Sequence, residues 1–307
     1  MRLNTFNYLK AGFVKPPTDY YFRPFGLAFE KYLKTKMRNG LYFCLGRKRY
    51  AEYIYDFAQQ FAVRHADVSA FGVFWTNSFS HNSYKLPGAM DLRMSQYFKD
   101  FEKLGILNNS IVFFFSDHGA RWGDLLKLRD GFMEERLPML FIHLPQWFRQ
   151  QYPHFVKNLG INQHRLTSPF DIYATLQHLL HLNESFSKLP HAPDLANSES
   201  IFLEVFQNRT CSNAGIPKHW CACITYKLLS ANLQILRTVS QKVITEMNVY
   251  LKSKNVSNIC GNLSLKSVNG GKQMIEKTPS MMTTYLINFE ANKGRFQAMA
   301  VYNKVDN

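Results

Sequence analysis

The run Ile111-Val112-Phe113-Phe114-Phe115, stopping at Ser116-Asp117-His118-Gly119, constrains this chain more than any other stretch. Five β-branched and aromatic residues closed by a glycine turn predict a short buried strand. In open α/β sheets, ligands collect just outside the carboxyl ends of strands. An adjacent carboxylate and imidazole at that point offer a hard oxygen and a borderline nitrogen, the donor pair of a divalent metal. The alternative is that Asp117 caps a following helix, with Gly119 serving the turn.

The flanking text alternates between strand and helix signals. Ala51–His65 has apolar residues at helical spacing, and Ser69–Ser78, "SAFGVFWTNS", reads as a buried strand ending in a polar turn that carries Asn77 and His81. A helix is expected through "MDLRMSQYFKDFEKLG", a third strand at Arg136–Pro145, a helix in "QWFRQQYPHFVKN", and a capped helix from near Ser168. This alternation predicts a doubly wound, mostly parallel sheet over residues 1–195. Residues 196–307 change texture. Two alternating runs about "NKG" there predict a smaller cysteine-containing α+β subdomain that closes with a β-hairpin.

Hydrophobic residues make up 46% of the 307, enough for a substantial core and too many for a disordered chain. The net charge of +15 favours anionic partners, either through scattered surface charge or through the short clusters "KYLKTKMR" and "GRKRY". No nucleic-acid motif accompanies the charge, so no nucleic acid is expected. No run of about 18 apolar residues predicts a membrane span, and the amino-terminus has no apolar signal region. Sequons at Asn108, Asn183, Asn208, Asn255 and Asn262 point the other way, toward the secretory pathway. Of the five cysteines, Cys211, Cys221 and Cys223 cluster near His219. His219, Cys221 and Cys223 supply soft ligands, but their spacing is not that of a zinc finger, and disulfide pairing is the alternative.

Asp117 and His118 are the candidate metal ligands, and His81 approaches them if neighbouring strands end at one edge. Lys127 and Arg129, on the loop that follows, suit the negative charge dispersed in phosphate or sulfate ester transfer, although a solvated loop is the default reading for both.

At these residues the chain resembles a known group. "SIVFFFSDHGARWGD" with "EERLPMLFIHLP" looks like the metal-binding strand and the next strand of the alkaline phosphatase and sulfatase superfamily. More narrowly, "GFVKPPTDYYFRPF", "CLGRKRY", "FGVFWTNSFSHNSY", "SDHGARWGD", "RLTSPFDIYATLQHLL" and "NRTCSNAGIPKHWCAC" resemble, in order, a sulfatase-like family of animal proteins, abundant in nematodes and catalogued as a domain of unknown function. The resemblance implies a partial sheet of alkaline phosphatase or sulfatase type. It also implies that Asp117 and His118 hold calcium or zinc, that His81 contacts the ester, and that Lys127 or Arg129 contacts the substrate. Asn77 stands where two-zinc relatives have Asp.

In that superfamily a first metal-binding aspartate and a Ser, Thr or modified Cys nucleophile come earlier in the chain. Between Met1 and Asp67 no apolar strand ends in Asp, and Cys44 lacks the sulfatase context. The expectation is therefore a carboxy-terminal portion of a phosphate or sulfate ester hydrolase, holding metal weakly or not at all and turning over little. The resemblance also implies an extracellular or secretory location, with any membrane anchor in a missing amino-terminus. The rival is a non-catalytic secreted or membrane-associated protein that binds acidic glycans.

Overall fold

A computed structural model describes residues 13–38, 40–121, 123–128, 131–182, 197–275 and 282–303. The chain divides into two compact units, residues 1–215 and 216–307.

The first unit opens with helix α1 (Arg23–Tyr32) and a three-stranded antiparallel meander, β1 (Thr35–Arg38), β2 (Leu41–Leu45) and β3 (Lys48–Arg49). Phe43 and Leu45 are buried in it, and the chain runs straight from β3 into α2 (Tyr50–Arg64). Glu52, in the first turn of α2, accepts the Arg49 backbone N–H at 2.9 Å, which satisfies one of the helix-entry donors. It also takes Arg93 Nε of α3 (Asp91–Lys103) at 2.7 Å, while Tyr97 of α3 donates to Asp56 of α2 at 2.6 Å. These bonds tie α2 to α3 across 41 residues of sequence.

After the short α4 (Ile106–Asn109) comes β4 (Val112–Phe115), the strand expected from the apolar run. Its only ladder among the described residues is with β5 (Leu140–His143), and that ladder is antiparallel, pairing Phe115 with Leu140 and Val112 with His143. The mostly parallel sheet expected from the sequence is thus corrected to small antiparallel sheets, with no parallel ladder among the described residues. The cause lies in the connection. Instead of crossing the sheet, residues 116–139 turn back at the end of β4 through α5 (Gly131–Arg136), so β5 enters where β4 leaves. Ser116 N–H donates to Met139 O, and Met139 N–H to Ser116 Oγ, both at 3.1 Å, which extends the pairing into the turn.

Ser69–Ser78 is also not a strand. Strand text becomes a strand only when a partner backbone accepts it, and none does so among the described residues. Phe71 is 69% exposed in consequence.

The helix expected across "QWFRQQYPHFVKN" is two helices, α6 (Gln146–Gln151) and α7 (Pro153–Asn162). Pro153 has no N–H to donate and clashes with the preceding turn, so it starts a helix and does not continue one. Helix α8 (Pro169–Leu180) begins after Ser168 as the S-x-x-D pattern implies, with Asp171 accepting the Ser168 N–H at 2.7 Å. Phe148, Phe155 and Phe202 form the apolar centre here, the last two stacked at 4.9 Å. Fully burying each contributes about 1.5–3 kcal/mol.

The second unit is an antiparallel sheet in the order β6 (Tyr226–Leu229), β7 (Leu265–Met274), β8 (Met282–Ala291), β9 (Gly294–Asn303). The last two strands are the hairpin expected about Asn292-Lys293, with Ala291 opposite Gly294. Helix α9 (Gln234–Ser253) buries Leu236, Val239 and Ile244, at three-to-five-residue spacing, against Tyr285, Ile287 and Phe289. The short α10 (Ser257–Cys260) follows it. Gly271 of β7 lies directly beneath Leu236: a Cβ there would stand 2.7 Å from Leu236 Cδ2. Among the described residues no helix is long and apolar enough to cross a membrane.

Candidate functional site

The carboxyl end of β4 delivers Asp117 and His118 into a loop whose shape depends on the residue after them. A Cβ on Gly119 would lie 1.5 Å from Glu134 O, so only glycine lets the loop pass this backbone. Gly119 N–H donates to Glu135 O at 3.2 Å, which fastens the loop to α5. Asp117 caps no helix: its Oδ1 accepts the N–H of His118 at 3.0 Å, and the next helical turn begins only at Asp124. The capping alternative is therefore overturned.

Asp117 is about half exposed and His118 about a quarter exposed, so both reach solvent. His118 Nδ1 stands 2.7 Å from Gly119 O. A carbonyl only accepts, so Nδ1 carries the hydrogen, and in the neutral ring Nε2 is the bare nitrogen. That Nε2 faces Asp117 Oδ2 at 3.4 Å. Two lone-pair atoms held face to face repel unless a positive charge sits between them, either a proton on the imidazole or a metal ion.

His81 arrives on a turn in which Asn77 O accepts the N–H groups of Ser80 and His81 at 3.3 and 3.1 Å. Its Nδ1 stands 2.6 Å from Asn82 Oδ1, so Nδ1 is the donor and Nε2 the acceptor nitrogen. The turn lies against the loop that follows Asp117 and His118, since a Cβ on Gly123 would stand 3.1 Å from Tyr84 Cδ1. Asn77, His81, Asp117, His118 and Arg121 all line one cleft of about 2660 Å³. Lys127 ends the short turn Asp124–Lys127, and its side chain, like Arg129 as a whole, lies outside the described residues. The cleft also takes Phe71, Phe74 and Phe98, together with Tyr55, whose hydroxyl burial pushes up to about 12. Burial, with the Asp56 carboxylate behind it, raises Tyr97 likewise. Both phenols are neutral near pH 7 and form wall, not base.

Sequence reading missed the two anchors. Gly119 was read as a turn former and is also the acceptor that sets the His118 tautomer; Asn82 does the same for His81. Their position next to each histidine was the available signal. Among the other candidates, Cys221 is disulfide-bonded, as is Cys211, whereas Cys44, Cys223 and Cys260 are free thiols. Cys221 is thereby removed from any zinc set with His219 and Cys223.

The profile of the family described as "Protein of unknown function (DUF229)" matches residues 1–269. The chain belongs to that family. No curated protein and no solved structure matches it. The DUF229 match spans the meander, the Asp117–His118 loop, and the "SPFD" and "NRTC" segments that carry the buried Asp171 and Arg209.

Proposed function

We propose that this DUF229 chain carries the Asp–His part of a divalent-cation site of the sulfatase-like kind, directed at phosphate or sulfate esters. The observation that carries the reading is the Nδ1 bond from His118 to Gly119 O, which turns the bare Nε2 toward Asp117 Oδ2 at 3.4 Å. An outer partner of this sort is what orients a metal-binding imidazole. Ligand bonds near 2.1 Å at tetrahedral angles put neighbouring donor atoms about 3.4 Å apart. The imidazole favours zinc over calcium, which takes oxygen donors.

When bound, such an ion polarises a phosphoryl or sulfuryl oxygen. The chain's own residues do the remainder. Asp117 and His118 hold two positions, Arg121 supplies positive charge at the cleft wall, and His81, with Nδ1–H held by Asn82, orients the ester or gives a proton to the leaving oxygen only as the imidazolium, in which Nε2 also carries a hydrogen. None of these groups is an activated nucleophile, so binding is expected with little or no turnover. The disulfide-bonded state of Cys211 and of Cys221 and the exposure of Asn108, Asn208, Asn255 and Asn262 support a secretory location.

The test is zinc titration against a chromophoric chelator after alkylation of the free thiols. One saturable site should appear, lost in both Asp117→Asn and His118→Gln, with hydrolysis of 4-nitrophenyl phosphate and sulfate near background. No zinc uptake, or uptake untouched by either substitution, overturns the reading.

A further inference from the structure

The chain's positive charge is not evenly spread. Lys31, Lys34, Lys36, Arg38, Arg47, Lys48 and Arg49 fall within 19 residues that contain no Asp or Glu, and so carry +7 of the net +15. In sequence they are two short clusters separated by the apolar "LYFCL". The fold merges them. Because β1, β2 and β3 form one meander, Lys36 and Arg49 both pair with Cys44, from opposite sides. Residues of the two clusters thus stand two strand spacings apart, roughly 10 Å.

All seven except Arg49 are exposed. The carboxylates nearest in sequence are already occupied: Asp56 holds Lys48 at 2.6 Å, Glu52 holds Arg93 at 2.7 Å and lies 3.8 Å from Arg49, and Glu30 accepts from Tyr50. Lys31, Lys34, Lys36, Arg38 and Arg47 make no ion pair among the described residues.

We propose that the β1–β3 meander is an interaction surface for a sulfated polysaccharide chain. A small anion needs a pocket with converging donors, whereas a ribbon of separated, exposed cations matches a linear polymer bearing fixed negative charges. Nucleic acid and the anionic cytoplasmic leaflet match the charge as well, but both sit in compartments that keep thiols reduced, and Cys211 and Cys221 are disulfide-bonded. The surface also has a direction. A Cβ on Gly40, at the β1–β2 turn, would stand 3.3 Å from Asn82 Nδ2, so a polymer laid along the meander reaches the turn that holds His81.

The experiment is titration of the full chain with a heparin dodecasaccharide at physiological salt. Replacing Lys34, Lys36 and Arg47 together by Gln removes three surface contacts of modest individual strength and should weaken binding roughly ten-fold. A control triple with the same loss of charge, Lys103→Gln, Arg149→Gln and Lys157→Gln, should change it less than about two-fold, because these exposed side chains lie on α3, α6 and α7. Equal loss in both triples would show that net charge alone attracts the polymer and would overturn the proposal. So would no binding by the wild type, or tighter binding to phosphatidylserine vesicles or single-stranded DNA at the same salt. The proposal is independent of the cation site: Asp117→Asn should leave heparin affinity unchanged.

Discussion

Arg209 grips Asp171 in a two-bond fork, Nη1 to Oδ2 at 2.8 Å and Nη2 to Oδ1 at 3.0 Å, with both side chains almost wholly out of solvent. The pair joins the "SPFD" start of α8 to the "NRTC" segment across 38 residues. Asp171 also accepts the N–H groups of Ser168 and Glu199, and Arg209 donates to Leu166 O and Asn197 O. Nearly every polar atom of the pair therefore has a partner.

Arg209→Ala leaves Asp171 buried without its counter-charge, and removal of one partner of a buried pair costs about 3–5 kcal/mol. Urea denaturation should show that loss in the transition of residues 1–215. A cost below about 1 kcal/mol, the worth of an exposed pair, would mean that the fork is not formed in solution.

Gly119→Ala places a methyl carbon where Glu134 O already stands. The loop has to move, taking with it the carbonyl that orients His118, so zinc affinity should fall roughly 10–100-fold, as for lost outer partners of metal ligands. Parallel thermal unfolding separates this from collapse of the fold; unchanged zinc affinity would detach Gly119 from the site.

His178 packs edge-on against the stacked Phe155 and Phe202, with Nδ1 2.9 Å from Ser200 Oγ. Burial, and then the charge of His154, lower its pKa from 6.5. The unfolded chain therefore takes the proton first as the pH falls. Stability contributed by neutral His178 is complete above about pH 6.5 and declines below it, with a slope of up to about 1.4 kcal/mol per pH unit until the folded-state pKa is passed. Unfolding free energies at pH 7.5 and 5.5 measure the decline, and His178→Gln should flatten it.

Gly271→Ala drives a methyl group into Leu236, an over-packing cost of about 1–3 kcal/mol. Leu236→Ala should recover part of that cost in the double mutant, because the two changes share one contact. Strictly additive losses would show that α9 does not press on β7 there.

Much of the secondary structure was legible because its cause is local. Helices α2, α3 and α8 follow from apolar spacing and, in α8, from Ser168 and Asp171; β4 follows from its apolar run, and the terminal hairpin from two alternating runs about Asn292-Lys293. What misled was any feature that needs a distant partner. Ser69–Ser78 has strand composition without a ladder, and β5 runs antiparallel to β4 because residues 116–139 return to the edge they left. Proline showed the same limit in reverse, since Pro153 divided a helix that apolar spacing alone runs together.

By itself the sequence determined that Asp117 and His118 are adjacent at a strand end, that a glycine follows them, and that two basic clusters flank the apolar run "LYFCL". Covalent order and side-chain chemistry suffice for that. Only the tertiary structure decided that Glu134 presses against Gly119, that the Gly119 carbonyl turns His118 toward Asp117, that Arg209 reaches Asp171, and that the two basic clusters share one surface. Each of these depends on where a chain returns after tens of residues, and that is set by what the intervening segment can bury and pair.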